Sequence, residues 1–205
     1  MQQAIFAAPD APGLADPVLD SQAIFRAILR AFSRPGIPAD FSAATAVAAP
    51  LPAGVALACL ALCDQDTPVW FGPGLDAKPV CDWARFHTGV PLSAGPEQAA
   101  FAFLDGMEAL PALQKFSMGT DLAPEAGATL IISTPRQLGQ REMILSGPGL
   151  PAPASVLLPA LPPLFWKQRE AMQAGYPRGL DLLFCSETAF TGLPRTTAIS
   201  RTPGV

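Results

Sequence analysis

The sequence predicts an α/β domain built around a mixed sheet. Short apolar runs bounded by glycine and proline have strand character, the clearest being 128–133, Ala-Thr-Leu-Ile-Ile-Ser. Segments with helical spacing lie between them. Such alternation is the signature of helices layered on a sheet. Half of the 205 residues are apolar and only 15% are charged, so the chain carries enough apolar material to fill a core.

The first helix is expected from Asp20-Ser21 to the residues before Pro35-Gly36. Ile24, Phe25, Ile28, Leu29 and Phe32 recur with helical spacing on one stripe. Asp20 or Ser21 is the expected cap. Arg26, Arg30 and Arg34 fall on a separate stripe. The Ser33-Arg34-Pro35-Gly36 run stops the helix, because proline cannot continue it and glycine tolerates positive φ. A proline-rich connection follows over 38–52. Residues 53–63 are apolar on every side, as in a buried helix. Asp64-Gln65-Asp66-Thr67-Pro68 reads as a turn. Residues 69–71 form a short strand closed by Gly72-Pro73-Gly74. The next helix is expected over 79–87, with proline in its first turn and Thr88-Gly89 as its stop.

The second half continues the alternation. A strand is expected over 100–104, a helix over 107–116 and a strand over 128–133. Residues 141–145 alternate polar and apolar before the turn Ser146-Gly147-Pro148-Gly149. A helix over 161–175 and a strand over 180–185 complete the pattern. The tail from Arg195 is polar and expected to fray. No internal repeat or low-complexity tract breaks the chain, and one domain spanning 1–205 is the expectation.

Composition excludes several classes. The apolar content is too high for a disordered chain. No run of about 18 uncharged apolar residues has spanning character; the longest candidate, 43–63, carries Pro50, Pro52 and Gly54. The start, Met1-Gln2-Gln3, lacks the positive charge of a secretion signal. A net charge of −4 without a basic block argues against nucleic acid as a partner. A soluble cytoplasmic protein is expected, with reduced thiols at Cys59, Cys63, Cys81 and Cys185. An apolar fraction this high, without a membrane segment, also predicts exposed apolar area for partners.

The residues that carry chemistry are few. His87 is the single histidine, in Arg85-Phe86-His87-Thr88-Gly89. It is either a general base or a group favoured by the helix dipole at a C-terminus. No Gly-x-Ser-x-Gly elbow supports a hydrolase triad. Cys59 and Cys63 stand four apart on one helix face, yet a zinc site needs further ligands that the sequence does not offer nearby. No metal is expected. Phosphate-binding glycine motifs are absent. The Gly-Pro-Gly runs at 72–74 and 147–149 are tight turns or anion nests.

Arginine supplies ten of the thirteen positive charges, and a set of arginines next to glycine or proline stands out. These are Arg34-Pro35-Gly36, Pro177-Arg178-Gly179 and Pro194-Arg195-Thr196-Thr197. A rigid turn can hold the stem while the guanidinium forks onto phosphate, phosphonate or carboxylate. The alternative is an ion pair within the chain. Arg34, Arg85, His87, Arg178 and Arg195 are therefore the candidate anion contacts or structural locks, and no residue is assigned a catalytic role.

Taken in order, these motifs resemble a known family. Phe25-Arg26-Ala27-Ile28 with Phe32-Ser33-Arg34-Pro35-Gly36 comes first. Asp64-Gln65-Asp66-Thr67-Pro68-Val69-Trp70, Arg85-Phe86-His87-Thr88-Gly89 and Gly147-Pro148-Gly149 follow. Phe165-Trp166, Tyr176-Pro177-Arg178-Gly179-Leu180-Asp181 and Leu193-Pro194-Arg195-Thr196-Thr197 close the series. Together they resemble the PhnH family, a subunit of the bacterial carbon–phosphorus lyase system, over about 18–197.

The resemblance implies a three-layer α/β/α sandwich similar to pyridoxal-phosphate-dependent transferases. It implies no cofactor site, and Lys78, Lys115 and Lys167 have no recognisable Schiff-base context. It implies a homodimer that joins the other lyase core subunits. It also implies an essential accessory role in attaching a phosphonate to the ribose of a nucleoside triphosphate and in later C–P cleavage. The radical step needs clustered cysteines for an iron–sulfur centre, which this sequence lacks. Direct binding of phosphonate or nucleotide through the arginines and His87 is the alternative.

Overall fold

The computed structural model describes residues 13–41 and 50–201. The start of the chain, residues 42–49 of the proline-rich connection and the last four residues lie outside them.

Helix α1 (Leu19–Ser33) buries Ile24, Ala27, Ile28 and Ala31. Its cap differs from expectation. Asp16, ahead of the helix, accepts bonds from the Val18 and Leu19 amides at 3.0 and 2.9 Å. Ser21 instead bonds back to the Pro17 carbonyl at 2.5 Å. The chain turns where proline and glycine predict, with Gly36 at φ +77°. Strand β1 (Ala39–Asp40) follows. Helix α2 (Ala53–Leu62) is buried from Gly54 to Cys59, as its all-apolar sequence requires. Strand β2 (Val69–Phe71) leads to α3 (Lys78–Thr88), which ends at left-handed Gly89.

Strands β3 (Phe101–Asp105) and β4 (Thr129–Ser133) stand close to the expected places. Strand β5 (Gln140–Ser146) precedes β6 (Ala154–Pro159). Helix α4 (Pro163–Ala171) runs on into a 3-10 turn, Met172–Gly175. Strands β7 (Asp181–Cys185), β8 (Ala189–Leu193) and β9 (Ala198–Arg201) complete the order.

Two expectations fail. The segment 107–116 is not a helix: it is a turn followed by a 3-10 turn at Leu113–Lys115. Asp105 takes the Met107 amide on its side chain and the Glu108 amide on its carbonyl. Pro111 then keeps Leu110 out of the helical region. The apolar residues that suggested a helix, Leu113 and Phe116, are still buried. The tail from Arg195 does not fray over the described residues. Thr197 is fully buried, and β9 pairs with β5, setting Ile199 against Leu145.

Six strands form the main sheet in the order β1-β8-β7-β4-β3-β2. Strands β2, β3, β4 and β7 are parallel, while β8 and β1 run antiparallel to their neighbours. This is the expected mixed sheet. Helices α1, α2 and α3 pack on one face over Phe71, Phe103, Ile131, Leu183 and Phe190. On the other face, Leu104, Leu130, Ile132, Leu182 and Phe184 meet a different cover. It consists of Phe165 and Trp166 of α4, Leu113 and Phe116, and the small antiparallel sheet β6-β5-β9. The strand residues alternate between the two cores because successive side chains point to opposite faces.

No helix among the described residues is long and apolar enough to cross a membrane.

Candidate functional site

The motif residues gather at the edge of the sheet where the parallel strands begin. Phe101, Thr129 and Asp181, the first residues of β3, β4 and β7, are in register there. Open α/β sheets ordinarily bind ligands at the opposite, carboxyl edge.

The anchor of this edge is Asp181. One carboxylate oxygen accepts the Arg195 backbone amide at 2.7 Å. The other accepts Arg195 Nε at 3.0 Å and Nη2 at 2.6 Å. Arg195 also donates to the Pro124 carbonyl and, at 3.5 Å, to that of Gly127. Its side chain is only 13% exposed, and these bonds occupy its fork within the chain.

A second guanidinium stands behind the first. Arg169 is 1% exposed and gives Nη2 to the carbonyls of Pro194 and Thr197, at 2.8 and 3.1 Å. Burial pushes its pKa down to about 10, against the opposing field of Asp181. Its Nε and the nearby Thr197 Oγ1 are buried without a hydrogen-bond partner among the described residues. One carboxylate thus serves two largely buried arginines, and the Pro194-Arg195-Thr196-Thr197 turn is held from both sides.

The glycine turns complete the knot. A Cβ on Gly147 would stand 2.9 Å from the Thr196 carbonyl oxygen, and one on Gly149 2.5 Å from that of Ser33. The Gly36 amide reaches the Gly192 carbonyl at 3.0 Å. The 33–36, 147–149 and 194–197 motifs therefore meet. Gly127 approaches the Gly179 carbonyl, and the Gly179 amide bonds to the Met118 carbonyl at 2.9 Å. The Tyr176–Pro177 peptide is cis.

Arg178 points outward from this turn. It pairs with Asp121 at 3.2 Å, with the two side chains 51% and 75% exposed. It lines an open-sided cavity of about 310 Å3 together with Gln114, Met118, Gln168, Met172 and Gly175. Gln168 is fixed by the Leu113 amide, which donates to its Oε1 at 3.0 Å. Asp121→Asn should change the unfolding free energy by less than about 0.5 kcal/mol, because a pair this exposed contributes little. Urea denaturation measures this; a loss above 1 kcal/mol would show the pair to be structural.

Arg34 is exposed at the end of α1, two residues before Gly36, which bonds to Gly192 of β8. Arg85 and His87 belong to the other end of the edge, near β2, where Val69 donates to the Pro91 carbonyl. Three strand spacings, about 14 Å, separate β2 from β7. The structure thus brings Arg178 and Arg195 together and sets Arg85 and His87 apart. The His87 ring lies on Trp83 and Phe86 at centroid distances of 4.9 and 5.1 Å, with Gly13 against its Nδ1. In the turn that leads into β2, the Thr67 hydroxyl and then the Asp66 amide hold the Asp64 carboxyl below its usual range. The 64–68 motif is a self-bonded turn that presents Gln65 to Gly89.

A hydrogen bond with Cys59 and then burial push the Cys63 pKa up, and burial does the same at Cys185 and, more mildly, at Cys81. No three His, Cys, Asp or Glu side chains gather as metal ligands among the described residues.

Asp181 and Arg169 escape sequence reasoning as functional residues. Asp181 falls within the strand expected over 180–185 and closes the motif that starts at Tyr176, and Arg169 falls within the helix expected over 161–175. The available signal is that Arg169 follows Trp166 by three positions, which places it on the buried side of α4.

The geometry defines an α/β protein whose motif residues largely brace one another's turns. The family model described as "Bacterial phosphonate metabolism protein (PhnH)" matches residues 12–200. The chain belongs to the PhnH family. It is 36% identical over 187 residues to the alpha-D-ribose 1-methylphosphonate 5-triphosphate synthase subunit PhnH of Rhizobium meliloti (strain 1021), covering 91% of this chain and 94% of that protein. It is 34% identical over 181 residues to HtxG of Stutzerimonas stutzeri, provisionally named a C-P lyase subunit protein, covering 87% and 85%.

Proposed function

We propose that this chain is an accessory subunit of a carbon–phosphorus lyase core complex, required for attaching a phosphonate to the ribose of a nucleoside triphosphate. The family match over 12–200 carries this reading. The locked motif residues support it, since Arg195 and Asp181 are spent on shape. The same reading makes the chain a single cytoplasmic domain that dimerises in isolation and then joins the other core subunits. Exposed Val18, Leu19, Phe25 and Leu29 along α1 support such association. The two cores on opposite faces of the sheet support a three-layer arrangement, and the likeness to pyridoxal-phosphate-dependent transferases rests on the family resemblance alone.

The tagged chain should co-purify with the other lyase subunits of its source cell. Deleting its gene should abolish growth on methylphosphonate as sole phosphorus source and spare growth on phosphate. Normal growth of the deletion strain on methylphosphonate, with the complex intact, would sink the reading.

A second reading, direct contact with a phosphonate or nucleotide, is favoured at one place only. Arg178 has an exposed guanidinium on a cavity wall.

A further inference from the structure

We propose that the cavity between the 114–118 segment and the end of α4 binds a small organic phosphorus oxyanion, with its phosphoryl or phosphonyl group on Arg178. The inference deepens the second reading above and rests on it.

The cavity, at about 310 Å3, reaches the lower size of small-molecule sites. Its wall divides by chemistry. Met118 and Met172 supply a soft apolar surface that adapts to a methyl group or lies against a flat ring. Gln114, Gln168 and Arg178 supply donors. The Leu113 amide ties up Oε1 of Gln168, which leaves its N–H groups as the donors on this wall. Three donor groups beside one apolar surface suit a tetrahedral head with three terminal oxygens. A carboxylate presents only two. A guanidinium fork adds geometric preference for such oxyanions. Among the described residues the ion-pair partner of Arg178 is exposed Asp121, so an anion can replace that partner without uncovering a buried charge. This distinguishes Arg178 from Arg195, whose fork is already filled.

Gly175 provides a clean test. Gly175 lines the cavity, a Cβ there meets nothing within 4 Å and its φ is not left-handed, so a large side chain fits on this wall without strain.

Methylphosphonate, ATP, inorganic phosphate and acetate should be titrated into the intact chain carrying carbon-13 methionine methyls. Met118 and Met172 should shift saturably with methylphosphonate or with ATP, and which of them acts identifies the source. Buried Met143, in the core beneath the small sheet, should stay still. Inorganic phosphate should bind more weakly than the organic ligand. Gly175→Leu and Arg178→Gln should each weaken binding about tenfold or more. Asp121→Asn should tighten it about twofold to fivefold, by removing the competing carboxylate.

No saturable shift with either organic ligand would overturn the proposal. So would a shift that survives both Gly175→Leu and Arg178→Gln, or an equal response to acetate. Co-purification with the lyase subunits is read without ligand, so failure here does not touch the accessory-subunit reading, and failure there does not touch the cavity.

Discussion

Asp181→Asn is expected to destabilise the protein by about 3 kcal/mol, a fall in Tm of about 6–12 °C for a chain of this size. Asp181 holds three bonds from Arg195, two of them from the guanidinium. An asparagine keeps one acceptor but turns an NH2 group toward N–H donors. The loss of charge costs more than the loss of the bond. Arg195 is 13% exposed and Arg169 1% exposed, and Asp181 is the carboxylate that compensates both. Removing one member of a buried pair strands the other charge in a poor solvent, which ordinarily costs about 3–5 kcal/mol. The lower figure applies because the Asp181 side chain is itself 24% exposed and partly hydrated. Arg195→Lys should cost less, since it keeps the charge and loses the fork. Urea unfolding of both variants measures the difference. Asp181→Asn within 1 kcal/mol of wild type would remove Asp181 from the centre of this edge.

The same cluster shows why part of the structure is legible in the sequence and part is not. Strand β4 and helix α2 were readable because their patterns are local: a β-branched run between breakers, and an unbroken apolar stretch. Strands β8 and β9 were not. Residues 189–193 carry Thr191 and Gly192 within five positions, and their strand character comes from pairing with β7. Residues 198–201 are fixed by β5, more than fifty positions earlier. The failed helix at 107–116 is the converse case. Its apolar residues are buried, but Pro111 and the Asp105 turn decide the backbone. At the candidate site, the arginine turns stood out through their prolines and glycines. Whether each fork faced inward or outward did not, because that depends on Asp181 for Arg195 and on exposed Asp121 for Arg178.

Read physically, the motif set is a set of mutual constraints on one edge of the sheet. The 33–36, 147–149 and 194–197 segments fix the end of α1, the β5–β6 hairpin and the entry to β9 against one another. Such rigidity suits a subunit that must present a defined surface to partners, because a preordered surface loses less conformational entropy on assembly. It also backs the 176–179 turn, through the close approach of Gly127 to the Gly179 carbonyl, while Arg178, paired with exposed Asp121, faces the cavity.

Gly149→Ala tests that constraint directly and is expected to cost about 3 kcal/mol or more. Two effects add. Gly149 sits at φ +86°, where a Cβ costs about 1–2 kcal/mol. That Cβ would also stand 2.5 Å from the Ser33 carbonyl oxygen and 2.9 Å from Pro35 Cδ. Neither neighbour is the end of a flexible side chain: both belong to the rigid stop of α1. The hairpin or the helix end must therefore move, and the interior around Leu145 and Val156, which pack under Gly36, must move with it. Gly139→Ala supplies the control. Gly139 has φ +72°, but a Cβ there meets only Ala160 Cβ at 4.0 Å. Its ψ of −173° places it in a region essentially restricted to glycine, so it should lose about 1–3 kcal/mol from backbone strain alone. The difference between the two substitutions isolates the close approach of the Gly-Pro-Gly turn to α1. If urea midpoints at equal m-values show both variants losing the same amount, the turn imposes a conformation but holds nothing in place. If Gly149→Ala also abolishes co-purification with the lyase subunits while Gly139→Ala preserves it, the braced edge is what the partners require.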